Sequence, residues 1–191
     1  MGQIIEGKAF VLGNDIDTDQ IIPAKYLVYS LEDEEEKKKY GEFAFSGVPL
    51  QDSGLPTGNI PFVHPGKRKS EFTIVIAGKN FGCGSSREHA AAAMQIAGLK
   101  CVIAPSFARI FYRNAIDGGF LTPIESEESL IEQFETGDNV RVNLDEKYIH
   151  NIRTDRKFPI KDLGEVAGII EAGGIFAYAR QTGMLGGKSN A

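Results

Sequence analysis

The chain has 191 residues, 42% hydrophobic and 25% charged, the proportions of a globular protein long enough to bury a substantial core. Its net charge of −5, with no basic cluster longer than Lys67-Arg68-Lys69, argues against electrostatic binding of nucleic acid, and the absence of a long apolar run argues against a membrane span. The N-terminus, Met-Gly-Gln-Ile-Ile-Glu, lacks a charged-then-apolar signal, so a cytoplasmic address is expected.

Residues 3 to 12 read as an opening strand with its glycine at a bend. Asp15, Asp17 and Asp19 then alternate through a turn-rich stretch. A calcium loop counted from Asp15 would need Gly at its sixth position and Glu at its twelfth, where Gln20 and Tyr26 stand, so that reading fails. The plain alternative is a side-chain-stabilised turn ahead of a helix or strand. From Glu32 to Lys39 the charges suit a solvated helix, with Glu34–Lys38 and Glu35–Lys39 as pairs four residues apart. Gly41 to Lys69 is rich in Gly, Pro and Ser and reads as surface loops, making residues 28–69 an excursion from one domain spanning 1–185. His64, within it, reads as structural or solvated.

Phe72 to Ala77 is a β-like run, and Asn80-Phe-Gly-Cys-Gly-Ser-Ser-Arg-Glu-His-Ala90 leads from it into a segment with helical apolar spacing. Gly82 and Gly84 permit a tight turn, Ser85 or Ser86 is a natural N-cap, and Glu88 is placed to complete a capping box. Free amides and the helix dipole gather at such a turn and favour an anion; two hydroxyls and Arg87 suit a carboxylate in particular. A capped helix behind a tight turn is the plain alternative. The third glycine of a dinucleotide fingerprint is missing, since Arg87 stands there; a phosphate loop is absent; and a hydrolase elbow would need Gly where Glu88 stands.

Leu99 to Ala104 is a short apolar strand, and Ser106 caps a helix with Phe107, Ile110, Phe111 and Ala115 on one face, ending at Gly118-Gly119. For Ser106 and Arg109, capping and surface pairing are the plain roles. A strand at Phe120–Pro123, a helix over Ser126–Phe134 and a hairpin of Asn139–Leu144 with Lys147–Arg153, including His150, come next. Asp162 is read as the cap of a helix from Leu163 to Ala172, broken by Gly173-Gly174, and Gly186–Ala191 as a mobile tail. Strands and helices mix without a strict βαβ rhythm. Cys83 and Cys101 lie 18 residues apart without a C-x-x-C pattern, which suits neither a disulfide framework nor structural zinc, and two thiols are too few for an iron–sulfur cluster.

Three strings, Gly13-Asn-Asp-Ile-Asp-Thr-Asp-Gln-Ile-Ile-Pro23, Asn80 to Ala90, and Ser106-Phe-Ala-Arg-Ile-Phe111, closely resemble the swivel domain of the aconitase family, in the family's order, within a resemblance that covers roughly Gly7 to Gly183. That resemblance implies an α/β fold of three layers, β/β/α. It also implies a free-standing small subunit that acts only with a large subunit carrying a [4Fe–4S] cluster, the cluster serving as a Lewis acid for a departing hydroxyl, with no cofactor in this chain. The implied reaction moves a hydroxyl along a small 2-hydroxy dicarboxylic acid by dehydration and rehydration. By the same resemblance Ser85 is the base, Ser86 assists by hydrogen bonding, Arg87 clamps a substrate carboxylate, and Asp19 faces the active site, positioning a partner histidine or assisting the proton path. Relatives whose substrates carry an extra carboxylate place an arginine close to Val28; apolar Val28 suits an isopropyl group and disfavours citrate-type or homocitrate-type acids. A homoaconitase-type or dimethylmalate-type dehydratase remains open, as does an anion-binding or partner-binding module without catalysis.

Overall fold

A computed structural model of the chain describes residues 3–184; the tail expected to be mobile lies outside these residues. Seven strands form one mixed sheet in the order β4-β3-β2-β1-β5-β6-β7: β1 Ile4–Val11, β2 Phe72–Ile76, β3 Cys101–Ala104, β4 Thr122–Glu125, β5 Asn139–Asn143, β6 Tyr148–Asn151 and β7 Arg156–Pro159. The first four pair in parallel; β1 also pairs antiparallel with β5, and the β5–β6–β7 meander continues from there. β1 serves both halves, with its register shifting between Lys8 and Ala9. Its first half alternates exposed and half-buried residues along β5, whereas Phe10 and Val11 beside β2 are wholly buried, as expected where a parallel strand is covered on both faces.

Side-chain alternation along the strands generates two cores. Phe10, Val75 and Val102 face one side and meet Ala90, Ala93 and Met94 of α3 (Glu88–Ile96) and Phe111 and Ala115 of α4 (Arg109–Asp117), forming the inner core. The intervening residues Ala9, Val11, Ile74, Ile76 and Ile103 face the other side and meet Val140, Val142, Ile149 and Phe158 from the meander, forming the outer core. The meander therefore curls over the back of the parallel strands, giving the α/β fold its β/β/α layering.

Several local expectations are revised. No helix forms over residues 126–134: the Ser126 hydroxyl donates to the Glu128 carbonyl (2.6 Å), and Leu130 and Phe134 enter the outer core from turns. Asp162 accepts from the Gly164 amide (2.9 Å), but the chain beyond it opens as a 3-10 turn, with α5 proper running from Ala167 to Ala172 and α6 from Ile175 to Gln181. α1 is the single turn Thr18–Ile21. α2 (Glu34–Glu42) is capped by Asp33, and its ion pairs are spaced by three residues, Lys38 with Glu35 (2.6 Å) and Lys37 with Glu34 (3.9 Å), while Lys39 sits over the Tyr29 ring. The excursion over residues 28–69 is more than surface loop, because Tyr40, Phe45, Val48 and Phe62 are buried in the inner core. Ile110 points outward, 53% exposed, instead of joining Phe111.

Candidate active site

The three strings singled out in the sequence are the loops that leave the carboxyl ends of β1, β2 and β3, neighbours in the sheet, so parallel pairing alone brings them to one edge. Backbone bonds then weld them together. The Gly78 amide donates to Gly13, Gly82 to Ile16 and Phe81 to Ser106, and single β-bridges join Asp17 to Cys83 and Phe81 to Phe107. Asp15 and Asn80 both take left-handed backbone angles, tolerable for these residue types, and the Asn80 amide side chain donates to the Asp15 carboxylate (2.9 Å). Gly82 (φ +79°) lies against the Phe111 ring where a Cβ would collide, and Gly84 (φ +100°) faces the Thr18 hydroxyl. Both positions require glycine for this turn.

The turn presents Ser85 and Ser86 exposed at the surface, with Arg87 half-buried behind them. Thr18, 2% exposed, takes the Ser85 amide on its hydroxyl oxygen (3.1 Å), and the two hydroxyl oxygens lie 3.0 Å apart. This corrects the expected capping box: α3 begins at Glu88 behind Arg87, with no side chain capping its first turn, because Ser85 is engaged across the loop instead of along its own helix. The capping box forms at α1, where Asp17 and Gln20 satisfy each other's backbone amides. Ser106 likewise caps no helix; its hydroxyl accepts the Asn80 amide (2.9 Å) and steadies the base of the turn. Arg109 opens α4 with its side chain exposed.

Arg87 donates to the Asp19 carboxylate (2.5 Å) and reaches the Ile22 carbonyl (3.5 Å). The Arg87 guanidinium holds the Asp19 carboxyl below the usual carboxylate range, helped by the Ala24 amide. Asp19 thus ties the turn to the segment carrying Tyr26 and Val28. Tyr26 stacks on Phe43 (3.7 Å between centroids) and the buried Tyr40 hydroxyl donates to the Tyr29 carbonyl, so Val28 stands between two anchored tyrosines, 77% exposed. Ser85, Asp19 and Arg87 are drawn together through α1, and the Ser86 carbonyl accepts from Asn114 (3.4 Å). Val28 makes no hydrogen bond or ion pair with them and is joined only through the chain after Asp19.

Burial pushes the Cys101 thiol up to about 12, and burial together with Asp17 and Asp15 raises that of Cys83. Among the described residues no three His, Cys, Asp or Glu side chains gather as metal ligands. Sequence reasoning missed Thr18, Asn114 and the Asp15–Asn80 bond. Thr18 stood in the first string, where its neighbour Asp19 drew the attention; nothing local marks Asn114.

Residues 29–129 match the model of the aconitase C-terminal domain family. The chain belongs to that family. The small subunit 1 of 3-isopropylmalate dehydratase from Arabidopsis thaliana is 42% identical over 181 residues, 94% of this chain and 70% of that one. An isopropylmalate/citramalate isomerase small subunit from Methanocaldococcus jannaschii is 41% identical over 182 residues, 95% of this chain and 96% of the relative. A crystal structure of 3-isopropylmalate dehydratase from the same archaeon superposes with a TM-score of 0.75 at 34% identity, covering 96% of this chain and 97% of that one. The two curated relatives are named as small subunits.

Proposed function

We propose that this chain supplies the proton-handling half of a dehydratase that interconverts 2-isopropylmalate and 3-isopropylmalate, in leucine biosynthesis, and that it is active only with a large, cluster-bearing subunit. The observation that carries this reading is the exposed Ser85 hydroxyl, fixed by buried Thr18 and followed two residues later by a guanidinium already oriented by Asp19. Dehydration removes a proton from the carbon beside a carboxylate; the C–H electron pair becomes the new double bond while the hydroxyl leaves from the neighbouring carbon. Ser85 as its alkoxide takes that proton, and returns it to the other carbon when water adds the opposite way round. Arg87 gives one nitrogen to Asp19, leaving the rest of its fork for the substrate carboxylate and for the charge that builds up as the proton departs. A [4Fe–4S] cluster held by the partner would supply the Lewis acidity that the departing hydroxyl needs. Ser86, exposed next to Ser85, adds a hydrogen bond to substrate.

Val28 offers apolar surface to the substituent that distinguishes the substrates. A second reading, that citramalate is also accepted, is favoured by the relative from M. jannaschii named for both acids. The net charge of −5 disfavours nucleic acid as a partner, no described helix is long and apolar enough to cross a membrane, and a cytoplasmic address fits both.

The deciding experiment mixes the purified chain with its large subunit and follows formation of the conjugated alkene near the ultraviolet, on a panel of isopropylmalate, citramalate, dimethylmalate and homocitrate. Turnover is expected from the mixture alone, fastest on isopropylmalate. Ser85→Ala should abolish it while leaving assembly and substrate binding intact; activity within about tenfold of wild type would remove Ser85 as the base. Val28→Arg should shift selectivity toward the tricarboxylic acid, and an unchanged ranking would take Val28 out of substrate selection.

A further inference from the structure

We infer that Thr18 is a positioning residue for the reaction, whose hydroxyl donates to Ser85 Oγ and lowers the cost of its alkoxide; this rests on the reading of Ser85 as the base. The Thr18 oxygen already accepts the Ser85 amide at 3.1 Å, and the only described acceptor left for its proton is Ser85 Oγ at 3.0 Å. Thr18 is only 2% exposed, and a buried hydroxyl gives its proton wherever an acceptor stands. Donation fixes the direction of the pair. With a Ser85 lone pair turned toward Thr18, the Ser85 proton points away from Thr18, on the exposed side where substrate would arrive. The amide that donates to Thr18 also polarises its hydroxyl, strengthening the donor that meets the developing anion.

The placement is held from both directions. The Thr18 amide donates to the Cys83 carbonyl (2.8 Å), Asp17 and Cys83 form a bridge, and Gly84 lies close enough to the Thr18 oxygen that a Cβ there would sit 3.2 Å from it. α1 is thus a single turn whose capping and bridging fix one hydroxyl against the catalytic loop. The role is that of one donor in an oxyanion hole, here serving the base instead of the substrate.

The test compares Thr18→Val, which keeps the shape and removes the hydroxyl, with Thr18→Ser, which keeps the hydroxyl, in the complex with the large subunit and beside Ser85→Ala. Thr18→Val is expected to lower kcat by about 10–100-fold with little change in KM, and Thr18→Ser to remain within about threefold of wild type. Because loss of a donor to the alkoxide raises the proton affinity of Ser85, the rise of kcat with pH should move to higher pH in Thr18→Val, a displacement that a merely structural role does not produce. Thr18→Ala replaces Thr18→Val should the latter fail to assemble. Wild-type kcat and pH profile in the hydroxyl-free variant, or equal damage in Thr18→Ser, would overturn the role of Thr18. Activity in Ser85→Ala would instead overturn the base assignment, so the two failures are told apart.

Discussion

Two aspartate–arginine pairs in this molecule share their chemistry but not their surroundings. Asp138, its side chain 4% exposed just before β5, accepts from both nitrogen arms of Arg153 (2.5 and 3.2 Å), from Asn151 (2.8 Å) and from the Glu135 amide (2.9 Å). Asn151 is itself wholly buried and donates further to the Gln133 carbonyl. Asp138 Oδ1 takes one of these four donors and Oδ2 the other three, all supplied by the fold. Asp19, its side chain 64% exposed, receives one arm of Arg87 and the Ala24 amide. The first pair closes the meander, whereas the second leaves a guanidinium with free donors at an open edge. Burial and the number of donors decide which pair is a fastener and which is a holder for something else.

The sharpest way to break this distinction is to remove each arginine or acid and ask whether turnover or stability changes. Arg87→Ala should lower kcat/KM by on the order of 10³-fold, through lost carboxylate binding and lost charge balance, without moving the melting temperature of the free chain. A melting temperature that falls with activity would make Arg87 a fastener too. Asp138→Ala should do the reverse: it removes the acceptor of the Glu135 N–H and one of the two acceptors of the wholly buried Asn151 amide, and should cost about 2–4 kcal/mol of unfolding free energy, measured by urea titration, while the folded fraction keeps its turnover rate in complex. Asp19→Asn is milder, since a carbonyl oxygen still accepts from Arg87; a loss of about three- to tenfold in kcat/KM is expected, with no measurable change in melting. If Asp19→Asn matched Arg87→Ala, Asp19 would be acting on substrate or proton directly instead of through Arg87.

The same contrast explains what the sequence disclosed. The loops of the candidate site were legible because Gly82, Gly84 and the hydroxyl and guanidinium side chains are contiguous, and β2 and β3 were legible as short apolar runs buried on both faces. Ser85 was misread as a cap because its real partner, Thr18, is 67 residues away, and a cap is the local competitor for the same hydroxyl. Leu130 and Phe134 have the four-residue spacing of a helix face, but tertiary anchoring from turns produces that spacing as well. β7 escaped notice because Phe158 is the single buried residue among its four, and its pairing to β6 is decided by the meander. Asp138 was silent for the same reason: most of its donors come from Asn151 and Arg153, on the far side of a hairpin. Val28, 77% exposed, was noticed only through family resemblance.

The smallest and most specific effect separates the two pairs by acid. Burial of Asp138 pushes its carboxyl up, but the Arg153 guanidinium, the Glu135 amide and the Asn151 side chain outweigh burial and hold it below the ordinary range. An unfolded Asp titrates near about 3.9, so on acidification the unfolded chain takes up this proton first. The stability contributed by Asp138 is therefore complete above about pH 4 and is lost as pH falls through the depressed folded value. Asp138→Asn has no such proton to gain. Wild type should lose stability more steeply than Asp138→Asn below about pH 4, and the gap between their unfolding midpoints should narrow toward about pH 2. A gap that stays constant over that range would mean that packing around Asp138, and not its charge, fastens the meander, and the contrast with Asp19 would then be one of shape alone.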